Sequence, residues 1–129
     1  MIQVNLSIGS RYPVDRKMIR QKIADVLAER RIDHAQVDVS IVGVRKIKEL
    51  NESQLKHEGK TDVLSFPQHE KHQLYDFPLP EGIPPHLGDI VISFPEAVQT
   101  ARKYGKRVDQ QIGFFLEHAL LHLLGYHHD

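Results

Sequence analysis

The sequence predicts a mixed α+β domain, with one small mixed β-sheet and helices packed mainly on one side of it. Two observations carry this reading. Four short segments have the apolar pattern of strands, and four others repeat apolar residues at helical spacing. Their order is strand, helix, strand, helix, strand, strand, helix, helix. A chain of 129 residues makes one domain, 1–129, large enough to bury a core without disulfides. No internal repeat, low-complexity tract or interdomain linker interrupts it.

Ile2, Val4, Leu6 and Ile8 alternate with polar residues, the period of a strand with one buried face, and Gly9 and Ser10 end it. After Pro13, Ile19, Ile23, Val26 and Leu27 recur at helical spacing, while Arg16, Lys17, Arg20 and Lys22 fall mainly on other sides. This predicts an amphipathic helix to about Arg30, its basic face a solvated surface with phosphate contact as the minority reading. Val37, Val39 and Ile41 form a second strand, and Val44, Ile47 and Leu50 a short helix after it. Thr61 to Pro67 is a third strand, stopped by its proline. Pro67 to His86 holds Pro78, Pro80, Pro84 and Pro85 with little periodicity, and reads as a long loop. Its histidines, His69, His72 and His86, could supplement a metal site, but their irregular spacing favours exposure to solvent. Leu87 to Ser93 is the most strand-like segment of the second half. Ser93 and Glu96 then make a capping-box pattern, in which each side chain satisfies a free backbone N–H at a helix start. That helix runs to about Tyr104 and stops at Gly105. The last helix begins near Val108 or Asp109 and buries Ile112, Phe115, Leu116, Ala119, Leu120 and Leu123.

Composition narrows the chemistry. The absence of cysteine removes disulfides, thiolate metal sites and cysteine nucleophiles together, and fits a reducing compartment. Met1 to Leu6 alternates polar and apolar residues, unlike a signal peptide, and no apolar run reaches membrane-spanning length. A soluble, cytoplasmic protein with no membrane partner is expected. Seventeen basic side chains balance seventeen acidic ones, so any binding to RNA must rest on local patches.

The end of the chain carries the chemistry. His118 and His122 lie four apart on a helix, so both rings stand on one face, one turn apart, and can reach a single ion. His128 cannot join them from the same straight helix. At about 1.5 Å of rise per residue it would sit about 9 Å beyond His122, against a zinc–nitrogen bond of about 2.0 Å. The chain must turn back, and Gly125 stands where such a turn can start. In a chain with nine histidines close pairs arise by chance, but a triple with glycine between its second and third members is more specific. Three neutral ligands would leave a fourth position open, the arrangement of a catalytic site. One zinc ion is the default, and nickel, copper and iron also suit imidazole.

Three segments together resemble the YbeY family of bacterial endoribonucleases, the ribosomal-RNA maturation factors. That family's signature is His-Gly-x-Leu-His-Leu-x-Gly-Tyr-Asp-His, and His118, Leu121, His122, Leu123, Gly125, Tyr126 and His128 match it in register. Thr61 to Pro67 matches its Thr-Asp-Val-Leu-Ser-Phe-Pro strand, and Leu87 to Ser93 its Leu-Gly-Asp-Ile-x-Ile-Ser strand. The resemblance implies a zinc-protease-like core and a zinc ion held by His118, His122 and His128. It implies single-strand-directed hydrolysis of RNA, in 3′-end maturation of small-subunit ribosomal RNA and in ribosome quality control. Ribosomal proteins of the small subunit and a ribosome-assembly GTPase are the partners it implies. Ala119 replaces the signature glycine and His127 the aspartate, which leaves His127 as a rival third ligand, though the register favours His128. Leu55 stands where the family has an arginine; its neighbour Lys56 offers charge to phosphate but not the bidentate guanidinium fork.

On this reading Lys56 stabilises developing charge on phosphate. Arg102, Lys103, Lys106 and Arg107, around the Gly105 turn, steer the RNA backbone or simply solubilise the turn. Asp62, Ser65 and Asp89 line or support the cleft, unless strand-end and turn hydrogen bonds explain them. Glu117 adjoins the first histidine as a candidate base, but about 100° around the helix it is expected to point aside. A zinc peptidase is a competing reading that lacks its base, because Ala119 occupies the position where that class needs glutamate. A non-catalytic ribosome-associated binding factor with a structural metal is the other, kept open by Leu55.

Overall fold

In this computed structural model, which describes residues 1–54, 62–67 and 84–126, the elements follow the expected order. They are β1 (Ile2–Ile8), α1 (Arg16–Glu29), β2 (Ala35–Val42), α2 (Val44–Gln54), β3 (Val63–Pro67), β4 (His86–Ser93), α3 (Phe94–Lys103) and α4 (Val108–Leu123). The strands form one mixed sheet in the order β1-β2-β4-β3; β1, β2 and β4 are parallel, and β3 is an antiparallel edge. No helix among the described residues is long and apolar enough to cross a membrane.

Strict alternation along β2 sorts the two faces. Ala35, Val37, Val39 and Ile41 are buried in the main core, where they meet Ile19, Ile23 and Leu27 of α1 and Ile112, Leu116 and Leu120 of α4. Fully burying each such aliphatic side chain contributes about 1.5–3 kcal/mol, so this layer dominates the stability of the domain. Gln36, Asp38, Ser40 and Val42 face the other way. There α2 covers a smaller cluster of Ile47, Leu64 and Val91, flanked by Val42, Leu50 and Phe66. Helices thus lie mainly on one side, with α2 on the other.

Polar side chains fix where the helices start. Asp15 caps α1 by accepting from the Lys17 and Met18 N–H groups, and Arg20 of α1 donates to the Val4 carbonyl, tying helix to β1. Part of the basic face of α1 is therefore structural. Ser93 accepts from the Glu96 N–H at the start of α3, but Glu96 Oε1 is buried without a hydrogen-bond partner, so only half of the expected capping box is made. The helix ends obey one pattern three times. After α1, α3 and α4 the residues Arg31 (φ 60°), Gly105 (φ 65°) and Gly125 (φ 91°) take the left-handed conformation. In each case the next residue's N–H reaches back five residues, Ile32 to Leu27, Lys106 to Ala101 and Tyr126 to Leu121. These are Schellman turns, which satisfy carbonyls that the helix leaves free.

Candidate metal centre

α4 is buried along one stripe and presents His118, exposed, and His122, half-buried, beside it. The two sit four residues apart, hence one turn apart on one face. Ser65, the middle residue of edge strand β3, hydrogen-bonds His122 Nδ1 through its hydroxyl. Ser65 reaches that ring because it pairs in register with Ile90, which lies in the main core, so both face α4. Close packing of helix on sheet makes the contact possible: at Gly88 (φ 147°) an added Cβ would collide with the Phe66 carbonyl and come within 2.9 Å of Leu123 on α4. One turn before His118, the Phe114 ring lies 6.5 Å from the imidazole at an interplanar angle of 18°.

Beyond His122 the helix ends in a turn at Gly125, the position where the sequence offers one. Gly125 N–H donates to the His122 carbonyl and Tyr126 N–H to that of Leu121, which turns the chain off the helix axis. Arg30 then lies over the Tyr126 ring, 5.1 Å from its centroid. His127 and His128 lie outside the described residues, as do Leu55, Lys56, Thr61, His69 and His72.

The remaining candidates divide. Asp62 lies at the start of β3, where its carbonyl accepts from the Ser93 N–H; burial, and then the charge of Glu96, hold its carboxyl above the usual range. The carboxylate of Glu117 reaches Lys22 of α1 at 3.5 Å, which takes it to the side of α4 that faces α1. Arg102, Lys103, Lys106 and Arg107 are exposed around Gly105, Lys106 over the Phe114 ring and Lys103 over that of Tyr104.

Asp89 stands apart from Ser65 and His122. It pairs in register with Asp38 and Phe66, which puts it on the α2 side of the sheet. There Asp38, His86 and Asp89 each bring a ligand atom within 4.8 Å of the others, a group able to hold a metal ion. This corrects the expectation for His86, which belongs to β4 and not to an exposed loop: its Nε2 is buried, 3.3 Å from Asp38 Oδ2. Sequence reading missed Asp38, and it missed the grouping of His86 with Asp89 because residues three apart in a regular strand point to opposite faces. The register shift that cancels this was signalled by a glycine inside a strand, Gly88.

Comparison with known proteins bears on the whole chain. A family profile described as Endoribonuclease YbeY matches residues 7–129. A Persephonella marina protein named Endoribonuclease YbeY is 33% identical over 128 residues, 99% of this chain and 78% of that protein. Its namesake from an Anaeromyxobacter strain is 35% identical over 129 residues, 98% of this chain and 62% of the relative. One from Symbiobacterium thermophilum is 41% identical over 95 residues, 74% of this chain and 60% of the relative. The chain therefore spans less than two thirds of several of these proteins. The solution structure of a Thermotoga maritima protein superposes with a TM-score of 0.62 at 26% identity, covering 100% of this chain and 75% of that one. With a profile match over nearly its full length and a relative of 33% identity covered over most of its own, this chain belongs to the Endoribonuclease YbeY family.

Proposed function

We propose that this chain is a metal-dependent endoribonuclease that cuts single-stranded RNA, acting in the cytoplasm on ribosomal RNA of the small subunit and in contact with the ribosome. The contact between Ser65 and His122 is the observation that carries this reading. An imidazole whose Nδ1–H donates to a hydroxyl has its tautomer and orientation set, with the lone pair on Nε2, the nitrogen that would ligate a metal. His118 stands one turn away on the same helix, and the Gly125 turn begins the reversal that His128 needs to complete a three-imidazole set. This donor set fits zinc, and also nickel. When bound, the ion supplies Lewis acidity toward a phosphoryl oxygen and lowers the pKa of water from about 15.7 toward about 7.

The chain's own residues do the rest. Ser65 orients His122, and the rigid, core-packed α4 keeps the pair preorganised. Lys56 supplies positive charge to phosphate, and Arg102, Lys103, Lys106 and Arg107 draw the RNA backbone toward α4. Glu117, engaged by Lys22, has no part in this proposal as a base.

Purified protein incubated with single-stranded RNA and with casein, each with and without chelator, tests the reading, with a His118→Ala protein prepared in parallel. The expected result is cleavage of RNA alone, abolished by chelator and by the substitution. Metal retained while RNA stays intact would overturn it in favour of a binding factor, and cleavage of casein in favour of a peptidase.

A further inference from the structure

We infer that Asp38, His86 and Asp89 form a second divalent-cation site, on the sheet face opposite the α4 histidines, which fastens β2 to β4. The inference is independent of whether the protein cuts RNA. It starts from a departure in strand geometry. Gln36 pairs with His86 and Val37 with Gly88, so Leu87 is an extra residue on β4. Leu87 is buried in the main core, and the shift brings His86 and Asp89 onto the same face, where a regular strand would part them. Opposite them on β2, Gln36 and Asp38 share that face.

The three side chains converge as a donor set. Asp38 is held from one side: its Oδ1 accepts from the Asn5 amide at 2.7 Å, which leaves Oδ2 directed at His86 Nε2, 3.3 Å away. That nitrogen is buried and makes no aligned hydrogen bond. Such an outer contact to a ligating carboxylate is what orients metal ligands. Asp89 stands opposite Asp38 in register, and their ligand atoms lie within 4.8 Å of each other and of His86, so two carboxylates crowd one imidazole. A cation would relieve that repulsion.

Space and chemistry select the class of ion. Asp89 opens onto a cavity of about 370 Å³ bounded by Ser40, Leu50, Phe66 and Val91, which gives room for water to complete the coordination. One imidazole with two carboxylates suits a borderline transition ion such as Mn²⁺ or Zn²⁺ better than Ca²⁺, whose ligands are all oxygen. Because β2 and β4 are brought together only by folding, an ion bound there stabilises the native chain by mass action.

The test uses the full chain with His118→Ala and His122→Ala, which removes the α4 pair, and Mn²⁺ as the probe. Electron paramagnetic resonance titration is expected to show one bound Mn²⁺ per chain, with a melting temperature that rises with Mn²⁺ concentration. Adding Asp38→Asn or, separately, His86→Gln is expected to weaken binding at least about tenfold, while circular dichroism confirms that each variant is folded. Failure of the doubly substituted chain to bind Mn²⁺ would overturn the inference, and so would binding that survives both further substitutions unchanged.

Discussion

Ser65 is a small side chain with a large consequence, because it is the hydroxyl that meets His122 across the edge of the sheet. If it fixes the imidazole tautomer, Ser65→Ala leaves the fold intact but loosens the metal. Loss of such an orienting partner typically lowers metal affinity by about 10–100-fold. Zinc affinity measured by competition with a chromophoric chelator is expected to fall by that factor, with cleavage at saturating zinc affected less. Unchanged affinity would mean that Ser65 merely fills space. A strand ending at Pro67 was legible in the sequence, yet the partner of Ser65 was not, since a contact between residues 57 apart depends on how close α4 lies to β3. That closeness rests on Gly88, where any Cβ would strike β3 and α4 together.

At the level of elements, the clearest signals were the chain stops. Gly105 and Gly125 mark turns whose left-handed residue the sequence announces, whereas Arg31 performs the same task without glycine and was not foreseen. The comparison yields a prediction of opposite signs. Arg31→Gly removes the Cβ conflict of a left-handed residue and is expected to stabilise the protein by about 0.5–1 kcal/mol, after allowance for the freer unfolded chain. Gly125→Ala imposes that conflict and is expected to cost about 1 kcal/mol. Urea denaturation of both variants beside the wild type checks the pair, and shifts of the same sign would contradict the assignment. The Ser93 box shows the limit of such signals. Its serine half forms, but the Ser93 N–H that the glutamate would satisfy is taken by the Asp62 carbonyl, a tertiary contact that local sequence does not encode.

For the whole molecule, apolar periodicity was enough to order the elements of the described residues and to place Ile19, Ile23, Leu27, Ile112, Leu116 and Leu120 in one core, because each period reports burial directly. It could not reveal which polar residues the two faces collect, since that follows from strand order and from one extra residue at Leu87. The carboxyl groups gathered in this way set how stability responds to pH. Asp62 has its pKa raised in the folded state by burial and by Glu96, so between the unfolded value, about 3.9, and the raised one the native chain holds more protons than the unfolded chain. The slope of unfolding free energy with pH is then negative. The contribution of Asp62 is fully present below the unfolded pKa and is lost as pH rises through the folded one. Asp62→Asn, which keeps the shape and removes the charge, is expected to make the protein more stable than wild type at about pH 7 and to flatten the decline above about pH 4. Urea midpoints measured across that range in the presence of chelator decide the matter, and an equally steep decline in the variant would show that the burial of Asp62 does not control it.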